Sequence, residues 1–119
     1  MTKTRINYGP LFNSLAEVAG IEGIVVVNYK YQIQTEKWQG IAFSIDKILA
    51  LVQELLDAVS SFCKQTQFKG FNEILQEGDF GKIYILDSSN LKLIFILYGV
   101  KLMNVGMVRV ILEKFLKSQ

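Results

Sequence analysis

The chain has 119 residues and a formal charge of +2; half of its residues are hydrophobic and 20% are charged, which fits one domain with a modest core. That composition excludes a disordered or collagen-like chain, and basic residues spread along the sequence argue against nucleic acid as a partner. Histidine is absent and Cys63 has no second cysteine to pair with, so metal binding and histidine-based catalysis drop out and a reducing, cytoplasmic setting is expected.

The opening "MTKTRINYGPLFNSL" lacks the apolar core of a secretory signal. Residues 1–8 read as a disordered or helical extension of a single domain spanning 1–119. Pro10 suits the first turn of a helix whose face is lined by Leu11, Phe12, Leu15, Val18 and Ala19, with Gly20 as its C-terminal cap. "GIVVVN" (23–28) is apolar on both sides and predicts a central strand covered on both faces. Tyr29-Lys30 turns into "YQIQTEK", polar enough for a sheet edge. The longest helical pattern runs from Phe43 to about Gln67. Three strands follow, at 70–77, 81–87 and 91–98, separated by tight-turn residues at 78–81 and 88–90. A last helix covers Val105 to Lys117.

The longest apolar run, between Lys92 and Lys101, falls short of the roughly 18–20 residues a bilayer span needs, so no direct membrane insertion is expected. Short connections make the last three strands an antiparallel meander. Two strands that need cover on both faces imply a sheet between helix layers, with the terminal helices on one face and the long helix on the other. The class is α+β, a three-layer α/β/α sandwich in the order αββαβββα.

The long helix carries more apolar surface than one sheet face can bury. With Ile45 at zero and about 100° per residue, Ile48, Leu49, Val52, Leu56, Val59 and Cys63 form a normal core stripe. Leu51, Leu55, Ala58 and Phe62 extend it on one flank. That flank either tucks under the sheet edge or a loop, or forms a subunit interface, which Phe71 and Ile74 on the adjoining strand would extend.

Chemistry is hard to find. Cys63 falls in the apolar stripe and reads as a buried structural thiol. Glu73, Glu77 and Asp79 read as a solvated edge, and "GDFG" (78–81) as a hairpin turn rather than a kinase signature. No phosphate-binding G-x-x-x-x-G-K-[ST] is present. No catalytic residue, cofactor or metal site is assigned, and the protein is not expected to be an enzyme. Trp38 either packs under a loop or serves as an exposed binding anchor. In "NVGMVR" (104–109), Asn104 suits a helix cap, Gly106 a close backbone approach to a neighbouring element, and Arg109 the exposed side of the helix.

The element order, the segment "VAGIEGIVVVN", and "GKIYILDSSNLKLIFILYGVKLMNVGMVRVILEKF" near the end together resemble the roadblock family over about residues 11–116. The most specific piece is "NVGMVR", which is similar to that family's asparagine-x-glycine-x-x-arginine opening of the last helix. The family includes roadblock-type dynein light chains, bacterial polarity proteins acting on a Ras-like GTPase, and scaffold subunits that hold Rag GTPases. The resemblance implies a five-stranded antiparallel sheet and a homodimer, or a heterodimer with another roadblock protein. In either, middle helices lie side by side and third strands pair. The implied dimer interface is Leu51, Leu55, Ala58, Phe62, Phe71 and Ile74.

A small Ras-like GTPase is the implied partner, and the polar strip Lys47, Ala50, Gln53, Glu54 and Asp57 of the long helix its expected contact surface. Any effect on hydrolysis would come from repositioning the GTPase's own residues, since only Arg5 and Arg109 are available as an arginine finger and neither lies on that strip. The alternative is a light chain or scaffold subunit of a larger motor or membrane-associated assembly that does not touch a GTPase. A small-molecule sensor is a third reading, which the scarcity of convergent polar groups disfavours. Two departures from the family stand out: the first hairpin turn, "NYKYQ", has no glycine, and the segment "TEKWQG" is unusual, with no assigned place for Trp38.

Overall fold

A computed structural model describes residues 6–38, 44–66, 73–79 and 81–119; the side chains of residues 38 and 63–66 fall outside that description. The elements are α1 (Gly9–Leu15), β1 (Ile21–Asn28), β2 (Ile33–Trp38), α2 (Ile45–Thr66), β3 (Glu73–Gly78), β4 (Gly81–Ser88), β5 (Leu93–Gly99) and α3 (Val105–Lys117). All strand pairings are antiparallel, and the sheet order is β2-β1-β5-β4-β3. The order αββαβββα and the meander of the last three strands agree with the sequence reading.

The central strands are apolar on both sides because each side meets its own helix layer. Val25, Val27, Ile85, Ile94 and Ile96 pack beneath Ile48, Leu49, Val52 and Leu56 of α2. On the opposite face Ile24, Val26, Tyr84, Phe95 and Leu97 pack against Leu11 and Leu15 of α1 and Val108, Leu112 and Phe115 of α3. The alternation follows directly from the two-residue period of a strand. Tyr8 stacks on Phe115 with ring centroids 6.0 Å apart, joining the chain before α1 to α3.

The first helix is shorter than its pattern suggests. It ends at Leu15 with Ala16 as C-cap, so Gly20 is not the cap. Val18 is still buried, but from a turn in which its N–H donates to the Leu15 carbonyl at 3.0 Å. Gly20 stands at φ +91° just before β1, where a Cβ would press on the backbone of Met103. The glycine-free turn after β1 has its own solution. Asn28 Oδ1 accepts from the N–H groups of Lys30 (2.9 Å) and Gln32 (3.0 Å), while Tyr31 takes φ 61°. Tyr31 supplies the positive φ that a glycine supplies in a primed turn, and the Asn28 side chain ties the turn together.

Candidate functional site

The α2 surface was built from a helix started by Ser44, whose hydroxyl accepts from the Lys47 N–H at 3.2 Å. Its core stripe is seated on the sheet: Ile48, Leu49, Val52 and Leu56 are buried. The flank stays largely exposed. Leu51 and Phe62 each remain 56% exposed, Ala58 is exposed and Leu55 is half-buried. Beside the flank runs an apolar groove of about 130 Å³. Leu51 and Leu55 form one wall, Ile83 and Ile85 the floor, and Gln76 of β3 and Tyr98 of β5 complete it. The flank of α2 and the edge strand β3 therefore border one apolar depression. Ile74 is half-buried against the α2-side core, and Phe71 lies outside the described residues, as does the side chain of Cys63.

Lys47, Ala50, Gln53, Glu54 and Asp57 are all exposed on α2. Asp57 comes near the first hairpin turn: burial raises the Tyr31 phenol above its ordinary value, and the charges of Asp57 and Asp87 raise it further. The adjacent Tyr29 phenol donates to Asp87 Oδ1 at 2.7 Å and is pushed up to about 12, first by burial and then by that hydrogen bond and charge. The Trp38 side chain lies outside the described residues, so neither reading of it is tested.

The far side of the sheet holds a cluster that sequence reasoning missed. Arg109 of α3 grips Glu73 at the start of β3 in bidentate fashion, Nε to Oε2 at 2.9 Å and Nη2 to Oε1 at 2.9 Å. The buried Tyr84 hydroxyl donates to the same Glu73 Oε2. The hydrogen bonds from Arg109 and then Tyr84 hold the Glu73 carboxyl below its ordinary value, against a small opposing effect of burial. Burial and then the Glu73 carboxylate hold the Tyr84 phenol far up. Arg109 and Glu73 are both exposed, as the sequence leads us to expect; what it does not show is that they are paired. Glu77, at the other end of β3, sits 3.6 Å from Lys82, whose ammonium also donates to the Met103 carbonyl at 3.2 Å. No local pattern signals the Arg109–Glu73 pair, because its members are 36 residues apart.

In "NVGMVR" the cap is as expected: Asn104 Oδ1 accepts from the Met107 N–H at 3.1 Å. Gly106 is a correction. Among the described residues a Cβ there would meet only Asn104 Oδ1, at 3.4 Å, so no described strand or helix requires the glycine.

Among the described residues there is no group of three or more acidic or cysteine side chains placed to hold a metal. None of the described helices is long and apolar enough to cross a membrane. A second, more open recess of about 300 Å³ lies between α1 and the β1–β2 hairpin, and Glu22 and Lys37 are its charged lining residues.

No known family profile matches the sequence. No curated protein matches it either. Solved structures do. MglB from Myxococcus xanthus is similar with a TM-score of 0.75 and 15% identity, over 97% of this chain and 91% of that one. The gliding protein MglB from Thermus thermophilus gives 0.74 and 16%, over 97% and 92%. A roadblock/LC7 domain from Streptomyces avermitilis gives 0.69 and 11%, over 90% and 88%. At these identities the likeness establishes the fold, and the fold is that of roadblock proteins.

Proposed function

We propose that the chain is a non-enzymatic roadblock-type protein that pairs with a second copy through α2 and presents the paired helices to a small Ras-like GTPase, regulating or scaffolding it. The observation that carries this reading is the division of α2 into three strips. One is buried on the sheet, one is apolar yet exposed at Leu51 and Ala58, and one is polar and exposed from Lys47 to Asp57. Uncovered apolar residues next to an apolar groove favour association over water. The polar strip suits a reversible contact, since polar, hydratable surfaces mark transient interfaces.

Likeness to MglB supports the fold half of this reading, and one MglB structure has a tetrameric arrangement, which favours assembly from more than one copy. Arg109 does not serve as an arginine finger in this scheme, because Glu73 occupies its guanidinium. Any stimulation of hydrolysis would come from ordering groups of the GTPase itself.

The test is capture of GTPases on tagged protein with the nucleotide fixed as GDP or as a non-hydrolysable GTP analogue. It is repeated with Gln53→Ala/Glu54→Ala/Asp57→Ala. A Ras-like GTPase held in one nucleotide state and lost from the triple variant supports regulation; one held equally in both states and lost from the variant supports a scaffold. Retention of no GTPase, with capture only of other roadblock-like chains, contradicts the GTPase contact and favours the light-chain reading.

A further inference from the structure

β3 is poorly anchored for an edge strand. Its register against β4 runs from Glu73↔Leu86 to Gly78↔Gly81, and β4 is its one neighbour in the described sheet. Glu73, Leu75, Gln76 and Glu77 are exposed, and only Ile74 reaches into a core cluster. An edge strand with so little buried apolar surface has a weakly specified register.

Beyond its ladder with β4, β3 is held by a pair of polar ties on the α3 side of the sheet. Glu73 at its start is held by Arg109 and Tyr84, and Glu77 near its end by Lys82, which itself reaches back to Met103 just before α3. The first tie is the stronger. It is bidentate, it shares one carboxylate with a buried hydroxyl, and Tyr84 cannot move because its ring lies in the core. A rigid donor on β4 and a fork on α3 thus fix where β3 begins.

We infer that Arg109 is a positioning residue for self-association: through Glu73 it sets the edge of β3 that a second copy meets. This rests on the dimer reading above. Gln76 of β3 borders the same groove as Leu51 and Leu55, so a second copy covering the α2 flank also comes up against the β3 edge. A strand edge is a row of unpaired backbone groups, and its pairing depends on register. Loosening Glu73 therefore weakens association from the sheet face opposite the α2 groove. α3 contacts a different face of the sheet from α2, so whatever pulls Arg109 away from Glu73 reports at the interface from the opposite side.

The test measures the dimer dissociation constant by sedimentation over a concentration series for wild type, Arg109→Gln, Glu73→Gln and the double variant, with amide exchange of β3 followed in each. Either single change is expected to weaken the dimer by about five-fold or more, and the double change by no more than the larger single one, the pattern of two groups acting through one contact. Arg109→Lys, which keeps the charge, recovers part of the loss. Faster β3 exchange accompanies weaker pairing. If either variant loses thermal stability but keeps the wild-type dissociation constant, the pair is a fold-holding contact only and the inference is overturned. Independent, multiplying effects of the two single changes overturn it as well. A wild type that stays monomeric throughout removes the dimer reading itself, and the inference with it. Should Arg109→Gln not fold, Glu73→Gln with the exchange readout decides.

Discussion

Arg109 and Glu73 meet across the sheet surface through two contacts of 2.9 Å, and Tyr84 donates to the same carboxylate from the core side. The carboxylate is thus shared between a cation and a hydroxyl, which favours its charged form. Because the folded-state value is lowered, this contribution to stability is fully present above the ordinary carboxylate range and is lost as pH falls through the folded value. Glu73→Gln should lower the melting temperature by a few degrees at neutral pH. Thermal melts through the acid range should show the gap closing as wild-type Glu73 takes up its proton. A gap that stays constant into strong acid would mean the charge contributes nothing.

Two glycines give opposite outcomes. Gly106 lies in the first turn of α3, where among the described residues a Cβ would make only an ordinary contact with Asn104 Oδ1, so Gly106→Ala should stabilise by about 0.5–1 kcal/mol through the helix preference for alanine. Gly99 at the end of β5 is hemmed in by the Gly20 carbonyl and the Met103 side chain, so Gly99→Ala must move backbone and should destabilise by about 2 kcal/mol or more. Chemical denaturation of the two variants measures both signs at once.

Asn104 is the cap of α3, and its Oδ1 satisfies the Met107 N–H. Asn104→Ala should cost about 1 kcal/mol, while Asn104→Asp should be close to neutral. Equal losses in both variants would show that the side chain acts by packing and not as an acceptor.

Tyr29 donates to Asp87, and burial with that carboxylate lifts its phenol to about 12. The neutral phenol is what the folded state prefers, so this contribution is intact below the ordinary value of 10.0 and is lost as pH rises through about 12. Ultraviolet titration should find one late-ionising tyrosine missing in Tyr29→Phe, and shifted down, though not fully, in Asp87→Asn.

Much of the fold was legible because its signals are local. Runs such as "IVVV" and "LIFIL" announce strands buried on both faces, and the stripe of α2 announces itself by helical spacing. The exposed apolar flank at Leu51 was also readable, since it is the excess of apolar arc over what one sheet face can hide. What failed was tertiary. Val18 is buried from a turn, so its spacing extended α1 past its true end at Leu15. The Arg109–Glu73–Tyr84 cluster joins three elements and leaves no periodic trace. Gly106 looked like a packing glycine because that is the usual reason for one, yet among the described residues only the Asn104 side chain comes near its Cβ position.

Association through the α2 flank is the claim on which the rest depends, and mass in solution measures it most directly. Light scattering over a concentration series should give twice the 13.5 kDa of one chain for wild type and one chain's mass for Leu55→Asp/Phe62→Asp, with the same helix and strand content in both. A wild type of one chain's mass at every concentration, or a folded double variant that remains dimeric, would contradict it.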